Sequence, residues 1–288
     1  MKPDYDRRLT PARGDIAAEG LRGRIDAEAY VRGEPAQVVA GAMAVRRAPA
    51  HDAMLETQAL FGDNFTVYER KGEWAWGQML SDGYVGYVSL SDLAAPPVAP
   101  THRVSALRTF VFAEPDLKSM PLLALSMNCK ISAEEESGRF VLATRAGWIF
   151  KGHLSGLDEF AADWVAEAEM FTGAPYLWGG KVSLGADCSG LIQTALNAGG
   201  YECPRDTDMQ EDAVGEAIVP ARDFSNLQRG DIVFWKGHVG VMIDGERLLH
   251  ANAFHMATAI EPLRDAVDRI LPVAGPITTV KRLSPHRL

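Results

Sequence analysis

The run AAPPVAPTHRV at 94–104 carries three prolines in eleven residues. Proline fixes its own φ and supplies no backbone donor, so this run extends neither a helix nor a strand ladder. It reads as a connector. The sequence on either side of it follows one plan. Before it, AQVVAGAMAVRRAP, ETQALFGDNFTVYERKGEWAWGQML and DGYVGYVSLSDL are short β-prone runs split by Gly, Asp and Asn. FTVYER alternates apolar and polar residues, as a half-buried strand must. After it, VSALRTFVFAEPDLKSMPLLALSMNCKI and GRFVLATRAGWIF repeat the plan in weaker form. Two copies of one small β-barrel are therefore predicted, over 31–95 and 96–155. Residues 1–30, rich in Arg, Asp, Glu and Gly, are expected to form an arm with a short helix around RGRIDAEAYV.

From 156 the periodicity changes. LDEFAADWVAEAEMF has helical spacing, with Phe160, Trp164, Val165 and Ala168 on one stripe. After TGAPYLWGG breaks that pattern, a second helix is predicted to start near Cys188. Leu191, Ile192, Ala195 and Leu196 lie three, four, seven and eight residues on, one buried face, and Gly199-Gly200 stops it. DIVFW (231–235), HVGVMID (238–244) and RLLHANA (247–253) then read as strands. Helices followed by an antiparallel sheet make 156–288 an α+β domain.

The chain has 288 residues and 47% hydrophobic composition, enough for two or three domains with real cores. Its net charge of −9 argues against a nucleic-acid or anionic-membrane partner. No apolar stretch reaches the length of a signal peptide or a membrane span. Three cysteines, Cys129, Cys188 and Cys203, do not make a disulfide framework. A reducing, cytoplasmic location is expected, and a monomer.

Cys188 sits where chemistry is possible. The thiolate is the nucleophile, and a helix N-terminus places unpaired N–H groups and positive partial charge beside it. That position is expected to lower the thiol pKa, and the Cys188 N–H can face an oxyanion. His238 begins one strand and His250 lies in the next, joined by the turn residues DGE at 244–246. A hairpin would set the rings side by side, with His250 fixing the orientation and tautomer of His238 as base. The bland alternatives are a buried cysteine and two structural histidines. A zinc site is disfavoured, since close ligand pairs are missing. Cys129 and Cys203 head no helix and read as structural.

The blocks PYLWGG…ADCSGLIQ, PRDTDMQ, LQRGDIVFWKGHVGVMID and LLHANA, in that order, resemble the NlpC/p60 family of cell-wall cysteine peptidases over about 160–285. The two preceding repeats resemble bacterial SH3 domains. The resemblance implies a papain-like domain at 156–288 with Cys188 as nucleophile, His238 as base and acid, and His250 as orienting residue. Tyr176 would line the site and help hold the oxyanion. The pairing is similar to γ-D-glutamyl-L-diamino acid endopeptidases, which cleave L-Ala-γ-D-Glu-diamino acid peptides after D-Glu. In that subgroup the free amine of L-Ala is recognised, which here implies Asp187, Ser189, Tyr84 and Glu56, with Asp63 as a rival acid. Thr207 stands where the subgroup has a small hydroxyl residue touching substrate. An Arg205–Asp206 ion pair is the structural alternative for that block. No metal or organic cofactor is implied, and the expected partner is a murein peptide. Two other readings compete: a wall-peptide-binding protein with a dormant domain, and an endopeptidase acting on intact wall.

Overall fold

FTVYER forms a strand, Asn64–Lys71, with Phe65 and Val67 buried and Thr66 and Tyr68 half-buried between them. The alternation in the sequence thus becomes the two faces of a barrel wall. In the computed structural model, which describes residues 5–284, this strand belongs to a seven-stranded antiparallel sheet. The order is Leu55–Leu60, Ala42–Arg46, Val85–Ser89, Trp74–Met79, Asn64–Lys71, Glu34–Val38 and Leu93–Ala94. Met43, Val45, Phe65, Met79, Tyr84 and Val88 fill its centre.

Beyond the proline-rich run lie a three-stranded sheet around His102–Val104 and a five-stranded sheet. The five strands run Pro121–Ser126, Arg108–Phe112, Gly147–Phe150, Phe140–Ala143 and Ala133–Ser137. Val111, Leu125 and Ile149 are fully buried there. The helix expected around RGRIDAEAYV does not form. Ala29–Val31 pairs in parallel with Ile16–Ala18, and among the described residues the arm's only helical turn is a 3-10 turn at Glu19–Leu21. A short segment interrupted by Gly23 has little helix propensity, and a strand partner satisfies its backbone instead. These elements make one unit, Met1–Leu157; Asp158–Leu288 makes another.

In the second unit, α1 (Trp164–Glu169) is shorter than the 157–171 pattern predicts. Asp163 caps it by accepting from the Val165 and Ala166 N–H groups at 3.0 and 3.3 Å, so Phe160 falls outside the helix and is exposed. α2 (Cys188–Ala198) buries Leu191, Ile192, Ala195 and Leu196 completely. Burial of each Leu or Ile contributes roughly 1.5–3 kcal/mol, which fixes the helix in the core. α3 (Thr207–Ala213) and α4 (Leu263–Ala274) follow. The unit also holds a two-stranded hairpin, Lys181–Val182 with Gly185–Ala186, and a six-stranded antiparallel sheet in the order Glu216–Ile218, Thr279–Arg282, Ile232–Trp235, His238–Met242, Arg247–Asn252 and Ala257–Pro262. Among the described residues no helix is long and apolar enough to cross a membrane.

Candidate active site

Cys188 is the first residue of α2, and Asp187 is its N-cap. Asp187 Oδ1 accepts from the Gly190 N–H at 2.7 Å, and Oδ2 accepts from the Gly179 N–H at 2.7 Å. The first turn of α2 therefore docks tightly on the loop before it. A Cβ at Gly190 would lie 2.1 Å from the Gly180 carbonyl oxygen, so only glycine permits this approach.

Arg205, fully buried, donates to both Asp187 oxygens at 3.0 and 2.8 Å and to Ser189 Oγ at 2.8 Å. Within the PRDTDMQ block, Arg205 is ion-paired with Asp187. Asp187 and Ser189 are buried in that network, with the Arg205 guanidinium against the Asp187 carboxylate. A buried carboxylate needs a counter-charge, and the guanidinium fork already supplies one.

The sulfur of Cys188 lies 3.9 Å from Thr207 Oγ1, at the first residue of α3. The N–H of Val239, the residue after His238, is directed at the same sulfur. Tyr176 reaches this place through a parallel bridge to Ala186, two residues before the cysteine. Burial pushes the Cys188 thiol up to about 11, helped by the Asp187 charge, while the Val239 and Thr207 contacts and Arg205 pull it back. The helix-terminus expectation is thus outweighed: desolvation acts on the whole charge, the dipole only on part of it. Burial and the charges at Cys188 and Asp187 raise the Tyr176 phenol, so it remains a proton donor.

His238 and His250 face each other across the predicted hairpin, Nε2 to Nδ1 at 2.8 Å. Val241 pairs with Leu249 and Met242 with Leu248, which sets the register of the two strands. Gly240 leaves the space that the His250 ring root occupies, since a Cβ there would come within 3.0 Å of His250 Cβ. Burial holds His238 down at about 3, reinforced by the neighbouring His250 and Arg269 charges and opposed by Glu261. Both shifts favour the uncharged forms, a thiol and an imidazole.

Sequence reasoning passed over Glu261. Its Oε1 lies 2.7 Å from His250 Nε2, and Arg269 of α4 bonds the same oxygen. The only trace in the sequence is the alternation of ATAIEP, which does not say which strand lies alongside. His250, His255 and Glu261 have potential metal-ligand atoms within 4.8 Å of one another. Both ring nitrogens of His250 are already in hydrogen bonds, and Arg269 already neutralises Glu261, so the group is built as a hydrogen-bond network.

The remaining two predicted residues lie in the first unit. Tyr84 and Glu56 line one cavity of about 190 Å³. The Tyr84 ring is part of the barrel core, and Glu56 is ion-paired with Arg47 and, at 3.8 Å, with Arg7. The rival Asp63 is a turn residue: it accepts from the Leu60 N–H at 2.9 Å.

Residues 45–93 match the bacterial dipeptidyl-peptidase Sh3 domain, and residues 173–267 match the NlpC/P60 family. The gamma-D-glutamyl-L-lysine dipeptidyl-peptidase of Bacillus subtilis (strain 168) is 31% identical over 223 residues, which are 69% of this chain and 73% of that protein. A protein of the same name from Bacillus cereus (strain ATCC 10987 / NRS 248) is 30% identical over 241 residues, covering 73% and 71%. A solved NlpC/P60 family protein from Bacillus cereus ATCC 10987 has a TM-score of 0.72 at 22% identity, covering 88% of this chain and 100% of that one, which is a likeness of fold. Similarity of that extent joins the barrel and the peptidase unit to one kind of protein, and the chain belongs to the NlpC/P60 family of cysteine peptidases.

Proposed function

We propose that the chain is an endopeptidase that hydrolyses the γ-D-Glu–diamino acid bond of murein-derived peptides bearing a free N-terminal L-Ala. The observation that carries this reading is the convergence of Cys188, Tyr176, Thr207 and the His238–His250 pair at one end of α2. The names of the two relatives point to the bond, and a dipeptidyl-peptidase counts its two residues from a free N-terminus.

In this mechanism His238 takes the thiol proton as Cys188 Sγ attacks the γ-carbonyl of D-Glu. The Cys188 N–H and the Tyr176 hydroxyl hold the oxyanion. His238 then gives its proton to the departing amine, and water, activated by the same ring, hydrolyses the thioester. Asp187, Ser189 and Arg205 brace the loop that aims the sulfur. The role is trimming of turnover peptides inside the cell.

The test is a paired digestion of L-Ala-γ-D-Glu-meso-diaminopimelate, free and N-acetylated, read by mass spectrometry. Release of diaminopimelate from the free peptide alone, lost in Cys188→Ala, is expected. Equal cleavage of both removes the free-amine requirement and favours an enzyme of intact wall. Release by Cys188→Ala refutes the nucleophile, and silence on both peptides favours a dormant binding domain.

A further inference from the structure

His250 has one neutral-ring proton to place and two partners to satisfy. On one side is His238 Nε2 at 2.8 Å, on the other Glu261 Oε1 at 2.7 Å. A carboxylate only accepts, so the proton sits on His250 Nε2. Nδ1 is then an acceptor, and it in turn requires the proton of neutral His238 to sit on Nε2. The lone pair of His238 is left on Nδ1, the nitrogen that must take a proton during catalysis.

We propose that Glu261 is a positioning residue of this peptidase, the fourth member of a Cys188–His238–His250–Glu261 relay that sets the tautomer of both rings and steadies the His238 imidazolium. This rests on the peptidase reading of Cys188 and His238.

The sheet explains why an acid can serve here. His250 pairs with Ala259 and Leu248 with Glu261, so Glu261 is the diagonal neighbour of His250 on the same face of adjacent strands. Its carboxylate is held in turn. Arg269 bonds Oε1 from α4, and the Arg269 guanidinium lies 4.4 Å from the centre of the Phe254 ring. Glu261 is thereby bonded on both sides, by His250 and by Arg269. Besides each other, the two rings feel Glu261 and Arg269, and His250 also feels His255 in the turn after its strand. Glu261 favours the charged ring; Arg269 and His255 oppose it. Only Glu261 acts in the direction that general-base catalysis needs.

The experiment reads Cys188 directly and needs no substrate. Iodoacetamide alkylation of Cys188 in the full chain is followed by mass spectrometry across pH, for wild type, Glu261→Gln, Glu261→Asp and Arg269→Gln. Weakening the imidazolium lowers the population of the reactive thiolate–imidazolium pair. The neutral-pH alkylation rate in Glu261→Gln is expected to fall about tenfold, with reaction recovering only where the thiol ionises alone at alkaline pH. Glu261→Asp, which keeps the charge, recovers part of the rate. Arg269→Gln removes the opposing charge while the His250–Glu261 hydrogen bond still holds the carboxylate, so it shifts the profile the other way, which loss of packing would not do. It also decides the matter if Glu261→Gln fails to fold. A Glu261→Gln rate within twofold of wild type, or an Arg269→Gln shift in the same direction as Glu261→Gln, overturns the proposal. The peptide digestion is run beside it: a wild type that alkylates as described yet leaves the peptide intact refutes the proposed substrate and not the relay.

Discussion

Replacing Arg205 with Met tests whether the buried ion pair behind the cysteine is what holds the site together. The side chains of Arg205 and Asp187 are 1% and 9% exposed, with the guanidinium bidentate on the carboxylate. Without Arg205 the Asp187 charge remains buried, facing the Gly179 and Gly190 N–H groups and the Ser189 hydroxyl. Removing one partner of a buried pair costs roughly 3–5 kcal/mol. The N-terminus of α2 offsets about 1–2 kcal/mol of that, because the carboxylate sits on its axis as N-cap. The net loss is about 1–4 kcal/mol, or roughly a 5- to 1000-fold shift toward the unfolded state of this unit. Alkylation of Cys203 in a urea series, followed by mass spectrometry, measures it, since that thiol is buried in the same unit. The double variant Asp187→Asn with Arg205→Met removes the stranded charge and is expected to be more stable than Arg205→Met alone. An Arg205→Met midpoint within about 0.5 kcal/mol of wild type, or a double variant no better than the single, refutes this electrostatic account.

Three further outcomes follow from the geometry. Tyr176→Phe is expected to lower kcat about 100-fold with little change in KM if the hydroxyl donates to the oxyanion, as steady-state kinetics on the tripeptide would reveal. Gly240→Ala places a methyl within 3.0 Å of His250 Cβ and forces that ring or strand to shift, so activity is expected to fall at least tenfold while the urea midpoint falls by about 1 kcal/mol. His238 is half-buried, and desolvation depresses its pKa from 6.5 to about 3. The unfolded chain therefore binds the extra proton first, and stability is lost as pH falls from 6.5 toward 3. Urea midpoints across that window are expected to decline, and less steeply in His238→Gln.

Much of the peptidase unit was legible because it is written locally. The apolar spacing after Cys188 requires a helix that starts there, and two β-prone runs around DGE require a hairpin with a histidine on each strand. Gly199-Gly200 ends the helix for reasons internal to those residues. The alternation of FTVYER likewise specifies a barrel strand. Signals this short need no knowledge of what lies elsewhere.

What the sequence left open depends on partners distant along the chain. The acid before the cysteine is paired with Arg205, eighteen residues later, because the loop that leads into α3 brings that side chain to the first turn of α2. Helix polarity predicted a lowered thiol pKa, yet the depth of burial, a property of the packed unit, reversed the direction. Glu261 became the neighbour of His250 only through the pairing of Arg247–Asn252 with Ala257–Pro262. Residue type and local periodicity determined the elements and nominated the nucleophile and its histidines. The tertiary structure decided which charges are neutralised and which rings share protons, since both depend on distances and desolvation that exist only once the elements pack.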